Sequence, residues 1–184
     1  MRRARWAALA IALMLGGLSG AAMAQAAPQI TPQAMGDLGQ LRTAFYARLR
    51  EALASQRDVY VVGERFVIPA GLLFRPGGAI FEPGANKLLT VVAKQLVEFS
   101  AQIPRSTNWV LQVDGHTDSA PISTAIFPSN WEFSAARAIA VVKFLNGAGV
   151  PNDRLVAAGY SQYQPLSTMD HARNRRIELK LTNR

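Results

Sequence analysis

The last strand pattern of the chain, Arg176–Thr182, alternates strictly between polar and apolar residues (RIELKLT). Successive side chains of a β-strand point to opposite faces, so the pattern predicts a half-exposed antiparallel strand. Its isoleucine and two leucines would face a core, while Glu178 and Lys180 would face outward. A sheet that is covered on one face needs a layer of helices on that face only. The chain is therefore expected to fold as a two-layer sandwich.

The rest of the chain supplies helical and strand patterns that fit this sandwich. Apolar residues at spacings of three and four predict the helices, and short apolar runs between turn residues predict the strands. In chain order, the predicted elements are a helix over residues 37–57, a hairpin over 59–68 that turns at Gly63-Glu64, a helix over 87–103, a strand over 109–114, a helix over 129–146, a strand over 155–159 and the C-terminal strand. We predict an α+β fold: a two-layer α/β sandwich whose mixed sheet has about four strands with helices on one face (β-α-β-α-β-β), preceded by an N-terminal helix.

The N-terminal segment has the pattern of an export signal. Residues 1–24 begin with arginines, continue through an apolar run and end with small residues at a cleavage-site pattern, Ala22-Met23-Ala24. The alternative is an uncleaved inner-membrane anchor, because residues 6–24 are barely long enough to span a bilayer. Residues 25–36, rich in Ala, Gln and Pro, predict a flexible linker. The predicted domain, which follows the helix over residues 37–57, covers residues 58–184. The export signal predicts that the protein lies in the periplasm of a Gram-negative bacterium, either free or held at a membrane.

The formal net charge of +8 favours an anionic partner. The basic residues are scattered and do not alternate with aromatic residues. Together with the export signal, this argues against nucleic acid and in favour of lipid headgroups or cell-wall polymers. The helix over residues 37–56 is expected either to pack on the domain or to mediate self-association or contact with an envelope protein.

Composition and spacing also exclude several kinds of chemistry. The chain has no cysteine, so disulfides, thiolate metal ligands and cysteine nucleophiles are ruled out. Its two histidines, His116 and His171, lack zinc-hydrolase spacing, and no phosphate-binding or G-x-S-x-G motif is present. The carboxylate pair of a wall hydrolase would have to be Asp118 with Glu132, but Glu132 fits a capping box with Ser129. We predict a protein that is not an enzyme and uses no cofactor or metal ion.

Polar motifs stand where predicted strands and helices begin and end. Gly115-His116-Thr117-Asp118 follows a strand, and Arg137 lies in the early turns of the next helix, for which Ser129 is the predicted N-cap and Ser134 its alternative. Asp118 and Arg137 would then lie at the carboxyl edge of the sheet, where α/β folds keep their ligand crevices. A carboxylate beside a guanidinium and free helix amides suits a zwitterion: Asp118 would bind an ammonium group and Arg137 a carboxylate. Alternatively, Asp118 caps a turn or pairs internally, and Arg137 is an ordinary surface arginine.

In order and spacing, these motifs resemble the OmpA-like C-terminal domain, the peptidoglycan-binding module of outer-membrane proteins, Pal lipoproteins and flagellar stator B subunits. The segment FPSNWEFSAARA, residues 127–138, is most similar to the MotB branch. The resemblance covers about residues 65–181. Two features depart from it: residues 165–174 form a shorter stretch than is usual in the family, and residues 6–24 lack the ionisable residue of a stator membrane helix.

The resemblance implies which residues bind ligand. The implied ligand is the diaminopimelate of the peptidoglycan stem peptide, bound without covalent chemistry. The implied contacts are Asp118 and Arg137, with Asn130 and Arg175 or Arg176 as pocket walls and with Thr117 and His116 ordering the loop. Asn174 is expected to fix the last loop, and Trp131 to pack in the core or along its helix, with glycan stacking as the alternative.

The expected function is to anchor an envelope protein or complex to the cell wall. The alternative is a MotB-like component of a membrane motor or envelope complex that retains residues 1–24 as an inner-membrane anchor.

Overall fold

The computed structural model describes residues 32–104 and 106–184; the predicted signal peptide and the first part of the predicted linker lie outside them. The helices are α1 (Pro32–Ala52), α2 (Ala85–Ser100), α3 (Asn130–Gly147) and the short α4 (His171–Asn174). The strands are β1 (Tyr60–Val62), β2 (Arg65–Pro69), β3 (Val110–His116), β4 (Leu155–Gly159) and β5 (Arg176–Thr182). None of the helices in this part of the chain is long and apolar enough to cross a membrane.

The strands form one mixed sheet in the order β1-β2-β5-β3-β4. Strands β3 and β4 are parallel and the other pairs are antiparallel. The predicted sandwich with a mixed sheet is confirmed, with five strands because both arms of the predicted hairpin join it. Residue His116 at the end of β3 pairs with Arg176 at the start of β5. This register brings the loop after β3 next to the segment before β5.

The core lies between one face of the sheet and helices α1, α2 and α3. Leu111 and Val113 of β3 and the apolar residues of β5 point into it and are fully buried. The predicted helix over residues 87–103 is observed as α2, and its apolar residues at spacings of three and four, Leu88, Val92, Leu96 and Phe99, all belong to the core. Helices therefore cover one face of the sheet, as the alternation in β5 predicts.

Helix α1 is part of this core. It begins at Pro32, so residues 32–36 are helical and not part of a flexible linker as predicted. Proline is tolerated in the first turn of a helix because its missing N–H would have no intrahelical partner there. Phe45 and Leu49 are fully buried, and α1 packs against α2. The apolar stripe of α1 is thus used inside the domain, which favours packing over a partner surface.

Tyr46 fastens α1 to the central strand. Its hydroxyl oxygen lies 2.9 Å from the carbonyl oxygen of Leu179 and accepts the N–H of Leu181 at 3.3 Å. The pairing of β2 with β5 extends only to Phe66 and Leu179, so the hydroxyl takes the place of the missing strand beyond it. Burial is the main reason that the pKa of Tyr46 rises to about 12.

Helix α3 begins at the predicted cap. The Ser129 hydroxyl accepts the N–H of Trp131 at 3.1 Å and donates to the Glu132 carboxylate. These contacts satisfy an N–H group of the first turn and lower the pKa of Glu132. The alternative cap, Ser134, is wrong: it is fully buried inside the helix, where its hydroxyl accepts the N–H of Ser161 at 3.0 Å.

Two glycines let α3 lie directly against the sheet. A Cβ atom at Gly115 would lie 2.1 Å from the carbonyl oxygen of Ser134. A Cβ atom at Gly159 would lie 2.7 Å from the backbone nitrogen of Ala135. Both distances are far below van der Waals contact, so only glycine fits at these two positions while α3 stays where it is.

The opposite face of the sheet carries a buried polar network. Glu178 accepts hydrogen bonds from Arg176 at 2.6 Å and from Arg65 at 3.1 Å, and His116 Nε2 lies 3.6 Å from its carboxylate. Burial alone would raise the pKa of Glu178, but His116 and Arg176 together outweigh it and lower the pKa to about 2. Glu178 lies on the outer face of the sheet, as predicted. It is not exposed to solvent, however, because its neighbours cover it and leave it 1% exposed.

We expect Gly115→Ala to destabilise the fold, because the added methyl group would overlap the backbone of α3. Overpacking of this kind costs about 1–3 kcal/mol or more. Urea unfolding monitored by circular dichroism measures the loss. Gly71→Ala is the matched control, since a Cβ atom there has no atom within 4 Å. Equal stabilities of the two variants would contradict the close approach of α3.

A second prediction concerns acid. The pKa of Glu178 is lowered on folding, so its stabilising contribution is complete above about pH 4.5 and is lost as the pH falls toward about 2. The contribution is up to about 3 kcal/mol of unfolding free energy. Urea unfolding at several pH values should show a weaker acid dependence in Glu178→Gln than in the parent. Glu98→Gln, at an exposed carboxylate paired with Lys94, should keep the parent's dependence; an unchanged acid dependence in Glu178→Gln would contradict the assignment.

Candidate ligand-binding site

The loop after β3 presents the Asp118 carboxylate at the edge of the sheet. The Thr117 hydroxyl donates to the Asp118 carbonyl at 2.8 Å, and the Asp118 carboxylate accepts the N–H of Ala120 at 3.2 Å. The N–H of Thr117 donates to the carbonyl of Ser161 at 2.9 Å. These contacts hold the loop, as expected for Thr117. The second carboxylate oxygen of Asp118 accepts a hydrogen bond from Arg175 at 2.6 Å.

Arg137 reaches the same region from the third turn of α3. Its guanidinium lies over the rings of Phe133 and Phe74, 4.0 Å and 5.0 Å from their centroids. Its Nε donates to the carbonyl of Gly78 at 2.8 Å. Among the described residues, the guanidinium makes no other hydrogen bond. Burial, followed by the positive charge of Arg175, lowers the pKa of Arg137 to about 10. Arg137 is thus a buried cation and not an ordinary surface arginine.

Arg137 and Arg175 line a cavity of about 450 Å³, which we call the arginine pocket; Asp118 does not line it but contacts it through its pair with Arg175. Its lining includes Phe74, Glu82, Phe133, Arg137 and Arg175. Glu82 and Arg137 form no ion pair within 4.0 Å in the part of the chain that the structure describes, whereas Arg175 is paired with Asp118. The pocket therefore offers one unpaired carboxylate and one unpaired guanidinium. That combination suits a ligand with both an ammonium and a carboxylate group.

The sequence reasoning missed Glu82, Phe74 and Gly78. They lie on the connection between β2 and α2, which reads as a Gly/Pro-rich turn region. A charged residue between Phe81 and Pro83 carries no periodic signal. Tertiary contacts, among them the hydrogen bond from Arg137 to Gly78, bring this connection to the site.

Asn130 joins the loop after β3 to α3. Its side-chain nitrogen donates to the carbonyl of Ala120 at 3.0 Å and to the Gln162 side chain at 3.2 Å, and lies 3.5 Å from the carbonyl oxygen of Asp118. Asn130 is buried and holds these two segments together. It approaches the backbone carbonyl of Asp118 and not the carboxylate that Arg175 holds, and it does not line the arginine pocket.

The structure selects one of the two candidate arginines, and the expectation that Trp131 packs in the core is wrong. Arg176 lies on the opposite face of the sheet, fully buried between Glu178 and the carbonyl of Gln164, so Arg175 is the arginine at the pocket. Strand alternation sends these neighbours to opposite sides. Trp131 does not pack in the core, since it is 50% exposed and stacks on Tyr163.

His116 and Asn174 have structural surroundings, as predicted. His116 is buried and stacks on Tyr160 with ring centroids 5.1 Å apart. The Asn174 side chain accepts the N–H groups of Leu166 and Ser167 and so fixes the last loop.

Three buried side chains on the outer face of the sheet are of the types that bind metal ions. Asp114, His116 and Glu178 are buried with ligand atoms within 4.8 Å of one another, and neither ring nitrogen of His116 has a hydrogen-bond partner among the described residues. Both oxygens of Glu178, however, already accept hydrogen bonds from arginines. Burial raises the pKa of Asp114 more than its Gln112 hydrogen bond lowers it. Guanidinium groups therefore occupy the place that a cation would need.

Comparison with known proteins identifies the family. A family model described as the OmpA family matches residues 73–178. The Bacillus subtilis (strain 168) protein YtxE is 37% identical over 136 residues, which is 71% of this chain and 52% of that protein. The chain thus spans about half the length of this relative.

Solved structures show the same fold. A protein from Desulfovibrio vulgaris described as MotB-like has 27% sequence identity and a TM-score of 0.66, covering 81% of this chain and 98% of that one. The cell wall anchor of the T6SS from Pseudomonas aeruginosa has 30% identity and a TM-score of 0.61, covering 74% of this chain and 98% of that one. The resemblance read from the motifs is confirmed: this chain belongs to the OmpA family, with a MotB-like protein among its structural neighbours.

Proposed function

We propose that the protein binds peptidoglycan without covalent chemistry, through the diaminopimelate of the stem peptide, and so anchors an envelope protein or complex to the cell wall. The observation that carries the proposal is the arginine pocket, where Arg137 and Glu82 lie unpaired among the described residues. Diaminopimelate has amino and carboxyl groups, so it complements both charges. The solved T6SS cell wall anchor and the MotB-like protein support this function for the domain.

Each charged side chain has a distinct part in this binding. Arg137, held by Phe133 and Gly78, takes a ligand carboxylate through its free nitrogens. Asp118 and Glu82 supply negative charge for the ligand ammonium. Arg175 holds Asp118 in place and, being half exposed, adds a second contact for an anion.

Non-covalent binding of this kind requires no bond-making step. The proposed location is the periplasm of a Gram-negative bacterium, where residues 1–24 would direct the chain. The MotB-like alternative, in which residues 1–24 stay as an inner-membrane anchor for a motor or envelope complex, uses the same wall-binding site. Sizing the mature N-terminus by mass spectrometry separates the two alternatives.

We expect Asp118→Ala and Arg137→Lys each to weaken the binding of purified protein to isolated sacculi by about tenfold to a hundredfold. Losing a charge-assisted contact costs about 1.5–3 kcal/mol. Lysine keeps the charge of Arg137 but loses its planar fork. Co-sedimentation over a range of sacculus concentrations measures the affinity.

Asp153→Ala and Arg50→Lys are the matched controls, because both residues are exposed and lie outside the arginine pocket. Circular dichroism establishes that each variant is folded. Full affinity in folded Asp118→Ala and Arg137→Lys would refute the pocket assignment, and a parent that stays in the supernatant would refute wall binding.

A further prediction concerns salt. Ionic contacts at a partly exposed pocket are screened as the ionic strength rises, so sacculus binding should weaken between about 50 and 500 mM salt. The exposed Arg175 should contribute to this dependence, so Arg175→Ala should show a shallower decline than the parent. Binding that is insensitive to salt in both proteins would argue against an electrostatic site.

A further inference from the structure

A cavity of about 470 Å³ lies next to the arginine pocket, and we call it the basic cavity. It is lined by the turn after α1, by β1, by the end of β2 with the residues that follow it, and by α4. Among the described residues, Gly71 alone lines both cavities. The charged side chains of the two cavities are therefore different, and each cavity can hold a ligand of its own.

Three arginines line the basic cavity, and two of them are unpaired. Arg176 is the paired one, because its guanidinium nitrogens donate to the Glu178 carboxylate and to two backbone carbonyls. Arg57 and Arg173 are exposed, and their side chains make no hydrogen bond or ion pair within the part of the chain that the structure describes. Two guanidinium groups are therefore available to a ligand.

The charge balance of the basic cavity fits a ligand with one negative charge. Asp58 is the acidic residue of the described lining, and it forms no ion pair with the other described residues. The charges of Arg176 and Glu178 cancel each other. The two unpaired arginines and Asp58 then leave an excess of one positive charge. A carboxylate matches this excess, whereas a phosphate monoester carries a charge of about −1.5 to −2 at pH 7.

The walls of the basic cavity are apolar. The ring of Tyr60 forms one wall, and the guanidinium carbon of Arg173 lies 5.7 Å from its centroid. Pro69, Leu72 and Ala172 complete the apolar surface. A ligand with an apolar side chain next to its carboxylate would therefore bury that side chain while the arginines hold its charge.

Two further polar groups suit a peptide. The Tyr60 hydroxyl and the Asp58 carboxylate have no hydrogen-bond partner among the described residues, so they can pair with a peptide carbonyl and a peptide N–H. The carboxyl terminus of a protein combines one negative charge, a last side chain and backbone amides. A bilayer surface fits less well, because anionic lipids are recognised by projecting clusters of about four to eight lysines and arginines.

We infer that the basic cavity binds the free carboxyl terminus of a partner protein that ends in an apolar residue. Arg57 and Arg173 hold the carboxylate, and the wall that includes Tyr60 takes the last side chain. This inference goes beyond the proposed function, because none of these three residues lines the arginine pocket. The domain then holds the cell wall and a partner protein at the same time.

The test uses a short synthetic peptide as the probe. Acetyl-Gly-Gly-Leu is prepared with a free carboxyl end and as its carboxyl-terminal amide, and NMR titration of the isotope-labelled protein measures the affinity for each. The acid should bind about tenfold more tightly than the amide, which lacks the charge that the arginines recognise. Arg57→Gln and Arg173→Gln should each weaken the binding of the acid by about tenfold and leave sacculus binding unchanged.

Arg75→Gln serves as the control, because Arg75 is an exposed arginine outside both cavities. The inference is overturned if the acid and the amide bind equally, if neither binds, or if both arginine variants bind the acid as well as the parent does. Displacement of the acid by free stem peptide would assign the cavity to the wall and overturn the inference too. A parent that fails to bind sacculi would refute the proposed function alone, because the peptide titration contains no cell-wall material.

Discussion

The backbone of helix α3 rests on strands β3 and β4 because Gly115 and Gly159 have no Cβ atom. Asn130 and Arg137 take their positions from that contact, since both are carried by the helix. The loop with Asp118 takes its position from the same contact, because it continues directly from β3. The distances across the candidate site are therefore set by backbone packing and not by the adjustment of long side chains.

The arrangement of charge follows from this rigid frame. Arg175 pairs with one carboxylate oxygen of Asp118, while Arg137 is held against two phenylalanine rings without a carboxylate partner within 4.0 Å among the described residues. A desolvated guanidinium without a counter-ion is unfavourable in the free protein. Burial therefore lowers the pKa of Arg137. An anionic group of the proposed ligand would relieve the cost of that burial. Perturbed charges of this kind are concentrated at functional sites.

Local patterns predicted most of the fold, and the motifs supplied two of the residues that line the candidate pocket, Arg137 and Arg175. The cap at Ser129 is readable because its partners lie within one helical turn. The side chains that cover a strand face come from distant parts of the sequence. Alternation places Glu178 on the outer face, but the arginines that cover it come from two different strands. Glu82 and the exposure of Trp131 were missed for the same reason, because each depends on segments far apart in the sequence. Motif resemblance narrowed the second arginine to two positions, and the tertiary fold selects Arg175.

The Tyr46 hydroxyl has a mechanical consequence for an anchor. It ties α1 to the backbone of β5 at Leu179 and Leu181, in the middle of the sheet. Strand β5 follows directly after Arg175, which stands at the candidate wall contact. Tension that enters through α1 would thus reach the wall-binding end along a central strand with neighbours on both sides. A pull along such a strand shears many hydrogen bonds at once instead of opening them one by one.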